Sequence, residues 1–561
     1  MNNSKDPDPK ILNCLVDKFK NGKFNEVLTN GEEILVDFPE NVFVMNVLGL
    51  ACFNMGNKTD AVTWLKQAYQ KSPANIETAS NLALILQSEK NYSEAIPIYE
   101  TILKSKSDVP EILFNYAVAL DQANFLVKAE TTYKKIIDLR KDFGPAFYNI
   151  GLLTKKRGNL EQAISYLERA AELMSNNAEV LAALGSVLKE NGDYEKAKEN
   201  TLRAISIKKD ARFYFNLATV FRDQGDLASA KEQYNLALHF NKNFPEAYNN
   251  LGEIFRDEGK SEEATDLFEK ALSIDSSFGK ARYNLGILFQ EEGRFLEAAD
   301  SFSKSKIDDW KARVCYCYYK GGYLKQFLSE FETTFELPHW SPLLASLSAH
   351  HSKSYDMPDP YKFCSEPLSY VRKQTIDTLA EPNSTFRTEL INQLNELEIG
   401  SRKQGRLING VQSAGNLLRR KEEIFRILAG HILVEIDNYI DGFDKDCEFL
   451  KSFPKTPSFQ SSWFVKMQNQ GHLTSHIHET GWLSGVVYLK IPDNQNNDDG
   501  KIQFGIDGDS YPSTSVDYPK KIIDIKEGDI VLFPSSVFHK TIPFKSNFER
   551  ICIAFDISPP K

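Results

Sequence analysis

A pair of residues, one large and apolar and one small, recurs through the first half of the chain at an almost constant spacing. Successive pairs lie 34 residues apart, with one interval of 33, and an alanine stands twelve residues after each small residue. Small residues let two helices approach closely, and large ones such as Tyr133, Tyr166 and Tyr234 fill the gap to the next helix pair. The pattern therefore predicts one helical hairpin per period. The pairs are Leu48-Gly49, Leu82-Ala83, Tyr116-Ala117, Ile150-Gly151, Leu184-Gly185, Leu217-Ala218, Leu251-Gly252 and Leu285-Gly286, and the alanines are Ala61, Ala95, Ala129, Ala163, Ala197, Ala230, Ala264 and Ala298.

This 34-residue period resembles the tetratricopeptide repeat, in which each unit is a pair of antiparallel helices. A weaker copy that begins at Cys14-Leu15 brings the predicted number to nine units over residues 8–306. Gly-Asn, Gly-Asp and Gly-Lys at 158–159, 192–193 and 259–260 suit the turns between helices. The resemblance implies an all-α solenoid that holds a polypeptide substrate or a partner protein.

An asparagine stands directly before the large apolar residue in six of these units. Asparagine is a mediocre helix former, so its recurrence calls for a reason. Two interpretations are open: a structural amide that ties neighbouring repeats together, or a peptide-binding ladder along the concave face, since an amide offers both a donor and an acceptor. The pattern resembles the asparagine ladder in the repeats of the O-linked N-acetylglucosamine transferase, which holds extended polypeptide. The series is Asn81, Asn115, Asn149, Asn216, Asn250 and Asn284, with breaks at Val47 and Ala183.

The repeat period ends near residue 306, and residues 307–345 are predicted to form an irregular helical cap and a linker, because the terminal unit of a solenoid needs a cap. From 337 to 360 the chain has Pro, Ser and His residues without a helical period, and the pair His350-His351 is expected to be solvated. A second domain is predicted over residues 355–561, with helices at about 372–399 and 418–449.

Short runs of β-prone residues, separated by turn residues, fill the end of the chain. They predict eight strands, at roughly 462–468, 472–478, 483–490, 501–505, 521–525, 529–533, 537–542 and 550–557. Helices followed by short strands of this kind suit a double-stranded β-helix, or jelly roll. The predicted fold class is therefore α+β and multidomain: an all-α repeat solenoid followed by a double-stranded β-helix domain with supporting helices.

Three histidines in the β-rich part form the candidate metal site. His476 and His478 stand two residues apart, and residues i and i+2 of an extended segment point to the same face. His539 follows the apolar run Asp529–Pro534, and Arg550 opens the next apolar run. Imidazoles that converge in this order, with an arginine beyond them, predict a metal site that takes an anionic co-substrate.

Charge and composition narrow the function classes. The formal net charge of −10 over 561 residues argues against nucleic-acid binding and against a basic membrane-binding patch. The seven cysteines are scattered and odd in number, so no disulfide framework is indicated. The N-terminus lacks an apolar signal core, and no stretch has the length of a membrane-spanning helix. We therefore expect a cytoplasmic protein.

Residues from about 355 to 561 resemble the iron(II)- and 2-oxoglutarate-dependent oxygenases, most closely a bacterial subgroup of them. The resemblance implies that His476 and His539 bind iron(II), that Arg550 binds the 2-oxoglutarate co-substrate, and that Tyr488 lies near it. Gly471, Thr474, Trp482 and Gln468 are candidates for the mouth of the site. The motifs that carry the resemblance are His476-Ile-His478, Leu483–Leu489, Gly528–Pro534, His539, Arg550-Ile-Cys552 and Gly410–Leu417.

Two positions depart from the usual pattern of this family. His478 stands where Asp or Glu is usual, so that the metal face has three histidines, and Cys552 replaces a small hydroxyl residue. The resemblance implies a 2-oxoglutarate-dependent iron(II) dioxygenase (EC 1.14.11-like), a hydroxylase whose solenoid recruits a polypeptide. Two alternatives are open: a non-catalytic interaction scaffold with a degenerate oxygenase fold, and a three-histidine dioxygenase that does not use 2-oxoglutarate and would leave Arg550 without a task.

Overall fold

The computed structural model describes residues 6–307, 309–397, 401–402, 406–444, 446–492, 498–512 and 516–560. The chain forms two compact units, residues 1–187 and 188–561. Predicted features at residues 308 and 398–399 lie outside the described residues.

Nine consecutive helix pairs cover the described residues between Pro9 and Ser305. The eight predicted alanines are fully buried, as expected where paired helices touch. A Cβ at Gly151 would lie 2.7 Å from Leu167 Cγ, and one at Gly252 would lie 2.7 Å from Phe268 Cε1, so the close approach excludes a side chain. The helices are α1 (Pro9–Lys20), α2 (Phe24–Asp37), α3 (Val42–Asn54), α4 (Lys58–Lys71), α5 (Ile76–Ser88), α6 (Tyr92–Ser105), α7 (Pro110–Gln122), α8 (Leu126–Leu139), α9 (Gly144–Lys156), α10 (Leu160–Leu173), α11 (Ala178–Glu190), α12 (Tyr194–Ile207), α13 (Ala211–Gln224), α14 (Leu227–Phe240), α15 (Pro245–Asp257), α16 (Ser261–Ile274), α17 (Gly279–Glu291) and α18 (Phe295–Ser305).

Three helices follow the repeats: α19 (Trp310–Lys320), α20 (Leu324–Glu332) and α21 (Pro342–Ser354). The absence of helix predicted from 337 to 360 was wrong, since Ser341 caps α21 and Leu343, Leu344 and Leu347 are buried on it. The prediction that His350 is solvated was also wrong. Its ring is fully buried, with Nδ1 2.7 Å from the hydroxyl of Tyr319, and burial lowers its pKa.

The remaining elements form two antiparallel sheets with helices against one of them. The larger sheet has the order β1-β8-β5-β10-β4-β3-β2, and the smaller has the order β7-β6-β9. The strands are β1 (Arg372–Thr375), β2 (Ser401–Arg402), β3 (Leu407–Ser413), β4 (Phe459–Leu473), β5 (Leu483–Lys490), β6 (Ile502–Gly505), β7 (Lys520–Ile523), β8 (Asp529–Pro534), β9 (Phe538–Thr541) and β10 (Arg550–Ile557), and the helices are α22 (Asp377–Ala380), α23 (Thr385–Glu396), α24 (Glu423–Asp441) and α25 (Glu448–Lys451).

The central strands of the larger sheet are buried on both faces. Alternate residues such as Val487, Ile530 and Ile553 pack with Leu428 and Ile432 of α24. The residues between them form a second core with the smaller sheet, and this core contains Val486, Tyr488, Val531, Phe533, Cys552, Ala554, Ile502 and Phe504. Burial on both faces explains why these strands are continuous apolar runs in the sequence. The second core positions the candidate site.

Several secondary-structure predictions were wrong in this half. The strands predicted at 462–468 and 472–478 form one strand, β4, which ends at Leu473. Residues 372–375 form a strand and not the start of a helix, because Arg372–Thr375 pairs with β8 across a long stretch of sequence. The chain also forms β3, which the sequence did not predict and which pairs with β4. The arrangement in two antiparallel sheets agrees with the predicted fold class, and the jelly-roll connectivity stays a prediction.

Candidate metal centre

Three imidazoles converge where the chain leaves β4 and pairs with β9. The backbones of His476 and His539 exchange two hydrogen bonds, of 3.1 and 2.9 Å. His478 follows two residues later on the same extended segment, and the intervening Ile477 is buried in the helix-side core. The ligand nitrogens of the three histidines lie within 4.8 Å of one another. The structure thus brings together the predicted metal residues, and their metal binding stays a prediction.

All three rings are oriented by an acceptor at Nδ1. His476 Nδ1 lies 2.7 Å from the carbonyl oxygen of Thr474, and His539 Nδ1 lies 3.3 Å from that of Val537. His478 Nδ1 lies 2.5 Å from Oδ1 of Asp556. Carbonyl and carboxylate oxygens only accept, so each Nδ1 carries a proton and each Nε2 is the nitrogen left for a metal. This donor set fits a divalent transition metal such as iron(II).

Burial keeps the imidazoles of His476 and His539 neutral. It lowers the pKa of His476 to about 3, with a further contribution from the charge of His478. Burial also holds the pKa of His539 well below its usual value, and His476 and His478 add to the effect. A neutral imidazole is the form that binds a metal, so these rings are ready to do so at neutral pH.

Arg550 and Tyr488 occupy the same internal face, farther along the larger sheet. Arg550 is 2% exposed, and its Nε and Nη1 have no hydrogen-bond partner among the described residues. The hydroxyl of Tyr488 makes no well-aligned hydrogen bond there, and burial raises the pKa of Tyr488 although the neighbouring Arg550 acts to lower it. The guanidinium carbon lies 5.3 Å from the centre of the Tyr488 ring. Native proteins rarely leave buried donors unpaired, and a guanidinium matches a carboxylate in geometry. The two side chains therefore fit a small carboxylate ligand, as 2-oxoglutarate would be.

Asp556 is a residue of the site that the sequence interpretation missed. It shares its face of β10 with Arg550, Cys552 and Ala554, because these residues alternate along the strand. Burial acts to raise the pKa of Asp556, but the charge of His478 and its hydrogen bond outweigh this and lower it. A single acidic residue inside the apolar run Ile551–Ile557 was the signal that could have identified it.

A side chain from the helix after the repeats lies next to the metal ligands. Arg313 of α19 is buried, and its Nη1 lies 2.5 Å from Oε2 of Glu479, out of line for a hydrogen bond, so that the contact is an ion pair. The Nε of Arg313 donates to the hydroxyl of Tyr283 on α17 at 2.9 Å. Glu479 directly follows His478, so the last repeat and the metal segment are joined through one arginine. No local sequence signal pointed to this contact, because its partners are far apart in the chain.

A second contact joins the same helix to the loop between β6 and β7. Tyr316 donates to Oδ2 of Asp509 at 2.5 Å, and Lys320 Nζ lies 3.0 Å from Oδ1 of the same residue. The hydroxyl of Ser475, beside His476, is 3.5 Å from the carbonyl oxygen of Asp507 in this loop. Helix α19 thus contacts Glu479 directly and is connected to Ser475 through this loop, so it does more than cap the solenoid.

The residues predicted at the mouth of the site lie in different surroundings. Trp482 is almost fully buried, donates its Nε1 hydrogen to the carbonyl of Phe449 and packs edge-on against Phe363, so its placement at the mouth was wrong. Gln468 and Thr474 are exposed, whereas Gly471 is buried, where a Cβ would lie 2.6 Å from Met467 Cβ.

The six asparagines of the repeats are half-buried or buried, and they differ in their partners. The side chains of four donate within the repeats: Asn81 to Asn46, Asn149 to Tyr133, Asn250 to Tyr234, and Asn284 to Asn249 and Glu253. Asn284 also accepts from Arg256. Among the described residues, the side-chain amides of Asn115 and Asn216 make no hydrogen bond. Peptide binding by the series stays a prediction, and two of its six amides are free for it.

Comparison with protein families agrees with both halves of this description. Residues 461–556 match the family described as "Putative 2OG-Fe(II) oxygenase". Residues 81–142, 156–213 and 245–278 match models described as tetratricopeptide repeat, and residues 218–256 match one described as TPR repeat. The chain therefore has stretches that match tetratricopeptide repeats and, near its end, a stretch that matches the putative 2OG-Fe(II) oxygenase family. No curated protein matches the chain.

Several solved structures are similar to the repeats. A tetratricopeptide repeat protein from Parabacteroides merdae is 21% identical, covering 44% of this chain and 95% of its own, with a TM-score of 0.36. YrrB, described as a TPR protein with an unusual peptide-binding site, is 21% identical, covering 33% of this chain and 95% of its own, with a TM-score of 0.29. MamA is 24% identical, covering 28% of this chain and 94% of its own, with a TM-score of 0.27. Separately, no helix in the described part of the chain has the length and apolar character needed to cross a bilayer.

Proposed function

We propose that the protein is an iron(II)- and 2-oxoglutarate-dependent dioxygenase, a hydroxylase whose repeats recruit a polypeptide. The observation that carries the proposal is the pairing of two features inside one matched domain. One nitrogen from each of the three histidines lies within 4.8 Å of the others, and the buried Arg550 has two nitrogens without a hydrogen-bond partner among the described residues. A scaffold without catalytic activity gives no reason for the unpaired donors of Arg550, which cost stability.

In this proposal His476, His478 and His539 hold iron(II). Arg550 binds the far carboxylate of 2-oxoglutarate, and the hydroxyl of Tyr488 donates to the same ligand. Iron(II) with bound 2-oxoglutarate supplies oxidative decarboxylation coupled to hydroxylation of a substrate. The protein positions these groups and excludes water around them. The ring of Phe533 lies 4.6 Å from that of His539 and 4.9 Å from that of Phe504, which forms an apolar wall beside the ligands.

Metal analysis under anaerobic conditions tests the metal assignment. The wild type should bind about one iron(II) per chain, and the His476→Ala, His539→Ala double variant should bind none. His472→Ala is a matched control, since His472 lies on the neighbouring strand outside the cluster and should leave binding unchanged. Unchanged iron content in the double variant would refute the assignment. Iron binding without any 2-oxoglutarate binding would instead favour the three-histidine dioxygenase, and the absence of both would favour the scaffold.

Recruitment of a polypeptide is proposed from the repeats and from their connection to the metal segment. Within residues 188–561, Asn284 stands beside Tyr283, whose hydroxyl accepts from Arg313, and Arg313 pairs with Glu479 next to His478. A polypeptide held along the last repeats would therefore end close to the ligand histidines. Each amide bond to a passing backbone contributes about 0.5–1.5 kcal/mol net, which suits weak binding of many sequences.

Two asparagines that lie two repeat units apart, Asn216 and Asn284, allow peptide binding to be tested separately from structural stability. Asn216→Ala removes an amide without a partner inside the protein, so it should lower turnover of a protein substrate and leave the melting temperature unchanged. Asn284→Ala leaves Arg256 and Glu253 short of a partner, so it should lower the melting temperature. Turnover and melting temperature, measured for both variants, distinguish a peptide-binding role of these amides from a structural one. Normal turnover by the Asn216 variant would mean that the repeats recruit partners by another surface.

A further inference from the structure

The carboxylate of Asp556 is buried in direct contact with one of the three histidines. Its Oδ1 lies 2.5 Å from Nδ1 of His478 and accepts from the hydroxyl of Ser484 at 2.7 Å. Its Oδ2 accepts from the hydroxyl of Ser461 at 2.8 Å. Among the described residues, no lysine or arginine forms an ion pair with it. A buried carboxylate is costly unless it is hydrogen-bonded and faces positive charge, and a metal on the other nitrogen of His478 would supply such charge across the ring.

The three histidines are unequal because of this contact. The Nδ1 groups of His476 and His539 donate to uncharged carbonyls at 2.7 and 3.3 Å, whereas that of His478 donates to a carboxylate at 2.5 Å. Hydrogen bonds to a charged acceptor are shorter and stronger than those to a neutral one. The carboxylate attracts positive charge to the Nδ1 side of the His478 ring. The Nε2 of His478 is therefore the most electron-rich of the three donors.

The difference between His478 and the other two histidines matters for the charge balance of the site. Non-haem iron oxygenases commonly hold the metal with two histidines and one carboxylate. Three neutral imidazoles would leave both charges of iron(II) without an anionic ligand in a buried site. A carboxylate behind a ligating histidine fixes the ring and raises its basicity.

We propose that Asp556 is a positioning residue that delivers to the metal, through the ring of His478, the negative charge that a carboxylate ligand would otherwise supply. The proposal rests on the proposed function, because it presumes that the three histidines bind a divalent metal. It deepens that function by explaining how a site without an acidic ligand holds iron(II). It also separates two roles on one strand: Asp556 supports the metal, and Arg550 supports the co-substrate.

Asp556→Asn and Ser461→Ala form a matched pair of test variants. Asp556→Asn keeps the size of the side chain and an acceptor for His478 but removes the charge. Ser461→Ala removes a hydrogen bond to the other oxygen of the same carboxylate and does not touch His478. Titration of the metal-free full-length proteins with cobalt(II), followed by its visible absorption, measures the affinity without any turnover.

We expect Asp556→Asn to weaken cobalt(II) binding by about 10- to 100-fold, the usual effect of losing such a partner, while Ser461→Ala changes it little. With iron bound, Asp556→Asn should also raise the midpoint potential, because a lost negative charge favours iron(II) over iron(III). Equal affinity and potential in wild type and Asp556→Asn would overturn the proposal while leaving the metal site intact. Failure of the wild type to bind cobalt(II) would overturn the proposed function, and this proposal with it.

A measurement on the wild type covers the case in which Asp556→Asn does not fold. In the zinc(II)-loaded protein, nitrogen-15 spectra of the histidine rings should show protons on the Nδ1 of His476, His478 and His539. The proton of His478 should lie farthest downfield, since it is in the shortest hydrogen bond, to a carboxylate. An Nδ1 of His478 without a proton, or a shift like that of the other two, would overturn the proposal.

Discussion

Two buried arginines within residues 188–561, Arg550 and Arg313, should respond in opposite ways to the same substitution. Arg550 has two donors without partners, whereas Arg313 donates to Tyr283 and pairs with Glu479. Arg→Met keeps the length of the side chain and removes its charge. Arg550→Met should therefore stabilise the protein without 2-oxoglutarate, and Arg313→Met should destabilise it.

The contacts set the size of the two effects. Each unpaired buried donor costs about 1–3 kcal/mol, so the two on Arg550 cost about 2–6 kcal/mol. A cation–π contact with the nearby Tyr488 ring offsets up to about 2 kcal/mol of this cost. With the full cation–π offset, Arg550→Met should thus raise the free energy of unfolding by about 0–4 kcal/mol. Arg313→Met leaves the mostly buried carboxylate of Glu479 without its cation, which costs about 3–5 kcal/mol when the pair is fully buried.

Unfolding with and without 2-oxoglutarate, at saturating metal and without oxygen, measures both effects. At 100 times its dissociation constant, the co-substrate should stabilise the wild type by about 2.7 kcal/mol and leave Arg550→Met unchanged. Arg313→Met should keep this ligand effect from a lower starting stability. The reasoning fails if Arg550→Met is less stable than the wild type without ligand, or if 2-oxoglutarate still stabilises it.

Two further predictions concern pH and thiol chemistry. The native pKa values of His476 and His539 are lowered, so below about pH 6.5 the unfolded chain binds more protons than the native one. The free energy of unfolding of the metal-free protein should therefore fall from pH 7 to 5.5, by up to about 1.4 kcal/mol per pH unit for each ring. In denaturant titrations, His476→Gln should reduce this slope. The hydrogen bond from Cys364 lowers the pKa of Cys447 to about 6, so iodoacetamide at pH 7 should label Cys447 before the exposed Cys14. Mass spectrometry measures the two labelling rates, and equal rates for Cys447 and Cys14 would contradict this prediction.

The repeats could be predicted from the sequence because their physics is local. A small residue is needed wherever two helices touch. In this chain such a residue recurs eight times at the near-constant spacing of 34 residues. The histidine cluster was predictable for a related reason. His476 and His478 lie on one extended segment, so their common direction follows from its geometry alone.

Features that depend on distant partners could not be predicted. Arg372–Thr375 is polar and becomes a strand only because β8 offers it an edge. Helix α21 carries His350, whose burial depends on Tyr319 and on a loop of the smaller sheet. The ion pair of Arg313 with Glu479 is equally invisible in the sequence. Asp556 did have a signal in the sequence, because it is a single acidic residue within an apolar strand.

The central claim is that the three histidines and Arg550 form one working site for iron(II) and 2-oxoglutarate. The most direct test is the release of succinate from 2-oxoglutarate by the iron-loaded protein in the presence of oxygen and without a protein substrate. We expect slow release by the wild type and by Ser461→Ala, and none above background by Arg550→Met or by the His476→Ala, His539→Ala variant. Iron-loaded wild type that releases no more succinate than these two variants would contradict the account.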